Sequence, residues 1–326
     1  MNNAFRQFLA AIALLAAACA AQAQTYPARS ITWVVPFAAG GPTDALARDI
    51  ADKVARPLGQ AIIIDNQPGA GGTLGSGKTA RANADGYTFL VGHMGYMGAA
   101  PALYKKLSYD PATDFEAVFR FPDTPLVLLV PKNSPHKTAA DLIAYAKKNP
   151  GKLNFGNAGP GSTSHLIAAL FASKAGIQIT QVPYKGAAPA MNDLIAGQVD
   201  AMFDQTNTAL PQLAGGRIAP LALTSAQRMA QFPNVPTLSE AALPGFEAAT
   251  WYGLYAPKGT SKEVIQKVYR AYVSAAGDKT WIRKMSDLGI QPLSDAAVAP
   301  DALKRHTLSE VSKWRQVAAE ANLTLD

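Results

Sequence analysis

Two stretches of small and hydroxyl-bearing residues define the chemistry this chain offers. The first is Phe37-Ala38-Ala39-Gly40-Gly41-Pro42-Thr43-Asp44, and the second is Gly159-Pro160-Gly161-Ser162-Thr163-Ser164-His165. Each follows a short apolar run and precedes a segment with apolar residues at helical spacing. The glycines let the backbone come close to a ligand. The start of a helix leaves N–H groups without internal partners and carries the positive end of the helix dipole. Together these features make an anion site that needs no lysine or arginine. One such loop alone is also an ordinary strand-to-helix turn. A matched pair, one in each half of the chain, points to two lobes gripping one anion between them.

Catalytic readings of the same residues are weaker. Ser162 or Ser164 as a nucleophile would need His165 as its base, but adjacent residues at a helix start point in different directions. No Gly-x-Ser-x-Gly elbow occurs. His93, His136 and His306 lack metal-ligand spacing. Neither a metal nor another cofactor is therefore expected. Residues 72–79 match the P-loop pattern G-x-x-x-x-G-K-[ST]. A working P-loop springs straight from a strand and opens a long helix. Here Pro68 and several glycines intervene, and the following helix is expected only over residues 79–83. Lys78 reads as a solvated helix residue, and nucleotide binding is not expected.

The elements that position these residues follow from periodicity. Residues 31–35 are apolar and mostly β-branched, and Pro36 closes this strand. Ala45, Leu46, Ile50 and Val54 give the next helix its apolar face, with Thr43 or Asp44 as its cap. Further strands are expected at residues 61–65 and 87–91. The second runs into a glycine-punctuated loop, residues 92–98, at a strand's carboxyl end. There His93, Met94 and Tyr96 suit a pocket wall; Met94 and Met97 equally suit gap-filling in a core. Pro122 and Pro125 mark an extended passage into a buried strand at 126–130. Lys185, Gly186 and Ala187 lie where a strand gives way to a helix. Asp204 stands at the tip of a strand over 199–203, to bind a ligand or to cap the next segment. Residues 228–244 read as loop, and 250–257 as a return strand that brings Trp251 near the crossing. Three helices follow, with Trp314 on the core side of the last. The chain leaves its first lobe near Phe121 and returns near Trp251, and two such crossings make a hinge.

Composition agrees with a secreted α/β protein. Arg6, an apolar segment over residues 8–18 and Ala21-Gln22-Ala23 form a signal peptide cleaved after Ala23. Cys19, the only cysteine, would be acylated in a lipoprotein, but Ala16 stands where leucine is usual. Release is the expectation. The remaining chain, roughly 300 residues, exceeds one ordinary core. The expected division is residues 24–121 plus 251–326 in one lobe and 122–250 in the other. The net charge of +7 is spread thinly, with 16% charged residues and no dense basic run, so nucleic acid is not an expected partner.

Several segments resemble the periplasmic solute-binding proteins of tripartite tricarboxylate transporters, the Bug family. They are VPFAAGGPTDALAR at 35–48, NQPGAGGTLG at 66–75, DGYTFLVG at 85–92, GPGSTSH at 159–165, VPYKGAAPAMNDLIAGQVDAMF at 182–203 and VPTLSEA at 235–241. The resemblance covers nearly the whole mature chain. It implies a type II-like, two-lobed periplasmic binding protein of Venus-flytrap form, each lobe a sheet flanked by helices. It implies a monomer that hands a small organic carboxylate to membrane permease subunits. It places one carboxylate between Phe37–Gly41 with Thr43 and Asp44, and Gly159 with Ser162–His165. His93, Met94, Tyr96, Lys185–Ala187, Asp204 and Trp251 are the candidates for ligand selection. Met94, Tyr96 and Trp251 would suit an aromatic or long aliphatic acid, including a dicarboxylic one, better than citrate. A ligand sensor for a signalling receptor and a periplasmic hydrolase are the alternatives.

Overall fold

The computed structural model describes residues 26–290, 293–320 and 324. The expected signal peptide lies outside the described residues. Two sheets organise the chain. The first runs β2 (Ile62–Asn66), β1 (Ile31–Val35), β3 (Thr88–His93), β11 (Tyr252–Pro257), β4 (Phe115–Arg120). Its first three strands are parallel, and β11 pairs antiparallel with both β3 and β4. The second runs β10 (Ala249–Thr250), β5 (Thr124–Pro131), β8 (Ala201–Gln205), β6 (Asn154–Asn157), β7 (Thr180–Pro183), with β9 (Ile218–Leu223) also on β5.

Helices cover both sheets. They are α1 (Pro42–Leu58), α2 (Thr73–Ala80), α3 (Ala139–Lys148), α4 (Thr163–Ala175), α5 (Ala187–Ile195), α6 (Thr206–Ala214), α7 (Lys262–Ala276), α8 (Lys279–Asp287) and α9 (Pro300–Glu320). The first sheet packs Trp33, Phe89, Phe119 and Phe121 against Tyr272 of α7, and the Phe119 and Tyr272 rings stack at 4.1 Å. The second sheet is apolar on both faces. Leu126, Phe155, Phe171 and Phe203 gather on one side, and Val127, Met191, Met202 and Leu223 on the other.

Topology fixes where a ligand sits. From β1 the chain crosses to β2 on one side and then to β3 on the other. From β6 it crosses to β7 and then back past β6 to β8. Each reversal opens a crevice at the strands' carboxyl ends. The residues just past β1, β3, β6 and β8 are thereby brought to the same place.

Two links join the sheets. One passes from β4 to β5 through Phe121–Asp123, and the other from β10 to β11 through Trp251. Arg120 pairs with Asp123 at 2.8 and 2.9 Å beside the first link. Trp251 donates its indole N–H to Glu310 of α9 at 3.0 Å beside the second. The last helix thus holds the return crossing.

Four local expectations need correction. The glycine-rich P-loop match is itself helical, since α2 starts at Thr73 and ends at Ala80; the small residues let it pack tightly, with Ser76 and Thr79 bonded to its own backbone. Lys78 is exposed there. The loop after β3 is a helical turn, Met94–Ala99, that runs into a short helix, Ala100–Leu103. The segment expected as loop contains a helical turn, Leu238–Ala241, fixed by a reciprocal Thr237–Glu240 cap. Finally, α1 is capped by neither Thr43 nor Asp44: its N-cap is Gly41, with no side-chain bond to its first turn.

Candidate functional site

A cavity lies where the four strand ends meet. Its open volume is about 20 Å3, room for about one water and far below the roughly 300–1,000 Å3 of ligand sites. Phe37, Gly41, Pro42, Thr43 and His93 line it from the first sheet's side. Ala158, Ser162–Ser164, Ala187 and Asp204 are among those facing them from the second, and among the described residues no Lys or Arg lines it.

Four helices begin at this cavity. Their N-caps are Gly41 for α1, Ser162 for α4, Gly186 for α5 and Gln205 for α6, and only Ser162 bonds its own first turn through its side chain. The remaining first-turn amides have no partner within their helices. Four positive dipole ends therefore act on one small volume, which favours an anion there without a formal cation. Pro42 suits the first turn of α1 because its missing N–H is not needed there.

Asp44 shapes this wall from behind. Its carboxylate accepts from Gly40 N at 2.9 Å, Arg48 Nε at 3.0 Å and Asn66 Nδ2 at 2.9 Å. Burial pushes its pKa up, but the Arg48, Gly40 and Asn66 hydrogen bonds outweigh that and hold it below the usual range. The loop over residues 37–41 is thereby fixed, and the charge of Asp44 is spent away from the cavity.

His93 joins the two sides. Its Nδ1 accepts from Gly95 N at 2.9 Å, and its Nε2 lies 2.7 Å from Thr163 Oγ1. A nitrogen that accepts carries no proton, so the neutral ring has its proton on Nε2 and donates to Thr163. The Thr163 hydroxyl proton is then free to turn to a ligand. Burial pushes the His93 pKa down to about 3, so the ring stays neutral at physiological pH. Asn207 Nδ2 donates to Pro42 O at 3.2 Å, and Tyr252 OH donates to Gln205 Oε1. These bonds close the two sides on each other.

The sequence matches a family model described as "Tripartite tricarboxylate transporter family receptor" over residues 46–323. The chain belongs to this family. Solved structures agree. MatC of Rhodopseudomonas palustris, solved with malate, is 39% identical with a TM-score of 0.86, over 90% of this chain and 99% of that one. Another R. palustris protein, solved with adipate, is 38% identical with a TM-score of 0.87, over 92% and 99%. The periplasmic binding protein BugD is 38% identical with a TM-score of 0.88, over 92% and 99%. The two-lobed periplasmic binding fold and the Bug kinship are thus established for this receptor.

Within this receptor the expected site residues divide. Phe37, Gly41, Thr43, His93, Ser162, Thr163, Ser164, Ala187 and Asp204 line the cavity. Gly159 and Lys185 line an adjoining groove that also borders Phe37. Gly186 packs on Ala38, and Gly40 sits close to Ala188, beside the cavity rather than on its wall; Ala39 is exposed. His165 turns its ring to Gly161 N, at 3.4 Å, and not to Ser162 or Ser164. Met94, Tyr96 and Trp251 are buried in the first core and do not line the cavity. Tyr96 bonds Val91 O and stacks beneath His93, and Trp251 is held by Glu310. These three do not form a cavity wall: the helical turn after β3 carries Met94 and Tyr96 inward, and the bond to Glu310 holds Trp251 against α9.

Sequence reasoning missed Pro42, Leu126, Ala158, Phe203 and Gln205 as lining residues. Pro42 lies inside the first quoted loop, and Ala158 immediately precedes the second. Gln205 adjoins Asp204 at a helix start, the same signal that marked Thr163. Leu126 and Phe203 are strand residues that the pattern assigns to the core, and nothing local separates them from their neighbours.

Proposed function

We propose that this protein captures a small organic carboxylate between its two lobes outside the cytoplasm and delivers it to permease subunits of a tripartite transporter. The observation that carries the reading is the convergence of four helix N-termini on a cavity with, among the described residues, no lysine or arginine on its wall. Hydroxyls of Ser162, Thr163, Ser164 and Thr43 add donors that a carboxylate needs. The proposed lobes are residues 24–121 with 251–326, and 122–250. The ligand touches both, so it binds the closed form best and draws the equilibrium toward it. Closure then gives a permease a surface that the open form lacks. The receptor works as a monomer, and its role is binding rather than catalysis. Malate and adipate, found in the two solved relatives, make short dicarboxylic acids the first class to try.

Thermal unfolding of the mature chain against malate, succinate, adipate, citrate, glutamate and benzoate tests this. An acid at about 100 times its dissociation constant stabilises by about 2.7 kcal/mol, or several degrees here. The expected result is a shift confined to one chemical class of acids. Folded, ligand-free protein that shifts with no acid would overturn the reading.

A further inference from the structure

We infer that Asp204 is the proton-binding member of the ligand cavity, so that capture of a carboxylate takes up one proton from solvent. The inference rests on the carboxylate reading above. Its basis is the setting of Asp204. Asp204 is the penultimate residue of β8, with its side chain on the cavity wall and 3% exposed. It accepts from the Thr208 hydroxyl at 2.7 Å and from the Gln205 backbone N–H, and both partners are neutral. Among the described residues, no Lys or Arg lines the cavity. The titratable groups that face it are neutral. Tyr252 approaches from β11 through Gln205, with its phenol pushed far up by burial, and His93 approaches from β3 with its ring pushed down to about 3. From α4 come only Ser162, Thr163 and Ser164.

A second carboxylate placed in this cavity meets a buried like charge with no cation to separate the two. Two such groups do not both stay ionised, and one pKa rises strongly. Burial has already pushed Asp204 up to about 6 without a ligand. Asp204 therefore takes the proton, and its new O–H donates to the incoming carboxylate. The helix N-termini and hydroxyls are left with one negative charge fewer to balance. Asp204 thus acts on specificity: it admits an acid together with a proton.

Titration calorimetry reads the proton directly. Malate, succinate and adipate are titrated in buffers of different ionisation enthalpy between pH 6 and pH 8.5. At pH 8 free Asp204 is ionised, and the expected uptake is close to one proton per bound acid. It falls toward about one half at pH 6, where Asp204 is already half protonated. Affinity accordingly drops up to about tenfold per pH unit above that point. Asp204→Asn keeps a neutral hydrogen-bonding group of the same shape. It is expected to bind with no proton uptake and with affinity flat over this range. Binding without a proton change in the native chain overturns the inference and leaves the carboxylate reading intact. So does uptake that survives in Asp204→Asn. If no acid binds, the carboxylate reading itself falls and this inference with it.

Discussion

At the scale of single residues, the site works through neutral groups whose ionisation is suppressed by burial. His93 is the clearest case. Its folded pKa of about 3 lies below the ordinary value of 6.5. Between those values the unfolded chain binds a proton that the folded chain refuses, so stability is present above about pH 6.5 and is lost as pH falls toward 3. His306, pushed down to about 4 chiefly by its burial, acts in the same direction. Asp204 acts the other way: its raised pKa makes the folded chain hold a proton more readily than the unfolded one, so its contribution is lost as pH rises through about 6. Urea midpoints measured from pH 7.5 to pH 4 separate these effects. His93→Gln keeps an N–H for Thr163 and removes the titrating ring, so its midpoint is expected to fall less steeply with acid than that of the native chain. An identical slope in both proteins would show that His93 does not carry this sensitivity. The residue types at Thr163 and His93 were legible in the sequence, but their union was not. They stand 70 positions apart and meet only through the folding of two sheets.

At the scale of elements, the function depends on four strand-to-helix turns and on how closely two of their loops approach. The strand, small-residue loop and helix start were legible for α1 and α4, because β-branched runs, glycines and helical spacing are local signals. The turn after β3 was not, because a helical stretch rich in glycine, Met94–Ala99, looks like a loop to any local pattern. That turn brings Gly95 against the second lobe. A Cβ on Gly95 would lie 2.2 Å from the carbonyl oxygen of Gly161. Gly95 lies within the turn, so alanine is compatible with the backbone there; the severe clash is across the cleft, and on its own side the Cβ meets only a tight 3.2 Å contact with His93 Nδ1. Gly95→Ala is therefore expected to leave the unliganded melting temperature nearly unchanged while weakening acid binding by tenfold or more. Wild-type affinity in Gly95→Ala would mean that the lobes do not close in this way.

At the scale of the whole molecule, two lobes, two crossings and one cavity follow from the strand order. The hydrophobic runs and the positions of Phe121 and Trp251 made the crossings readable. The cavity's composition was only half readable, since Leu126 and Phe203 line it by virtue of where their strands end and not by their type. The same limit explains the misplaced Met94, Tyr96 and Trp251: side chains near a strand end face either core or crevice, and the sequence does not say which. The account's central claim is that helix N-termini and hydroxyls hold a carboxylate between the lobes without a cation. The most direct test is binding of adipate against adipamide, which has the same shape and no charge, measured on the native chain under one set of conditions. The account predicts that the acid binds at least about 100-fold more tightly, as expected when hydrogen bonds to a charged group are worth about 1.5–3 kcal/mol each. Equal affinity for the two, or tighter binding of the amide, would contradict it.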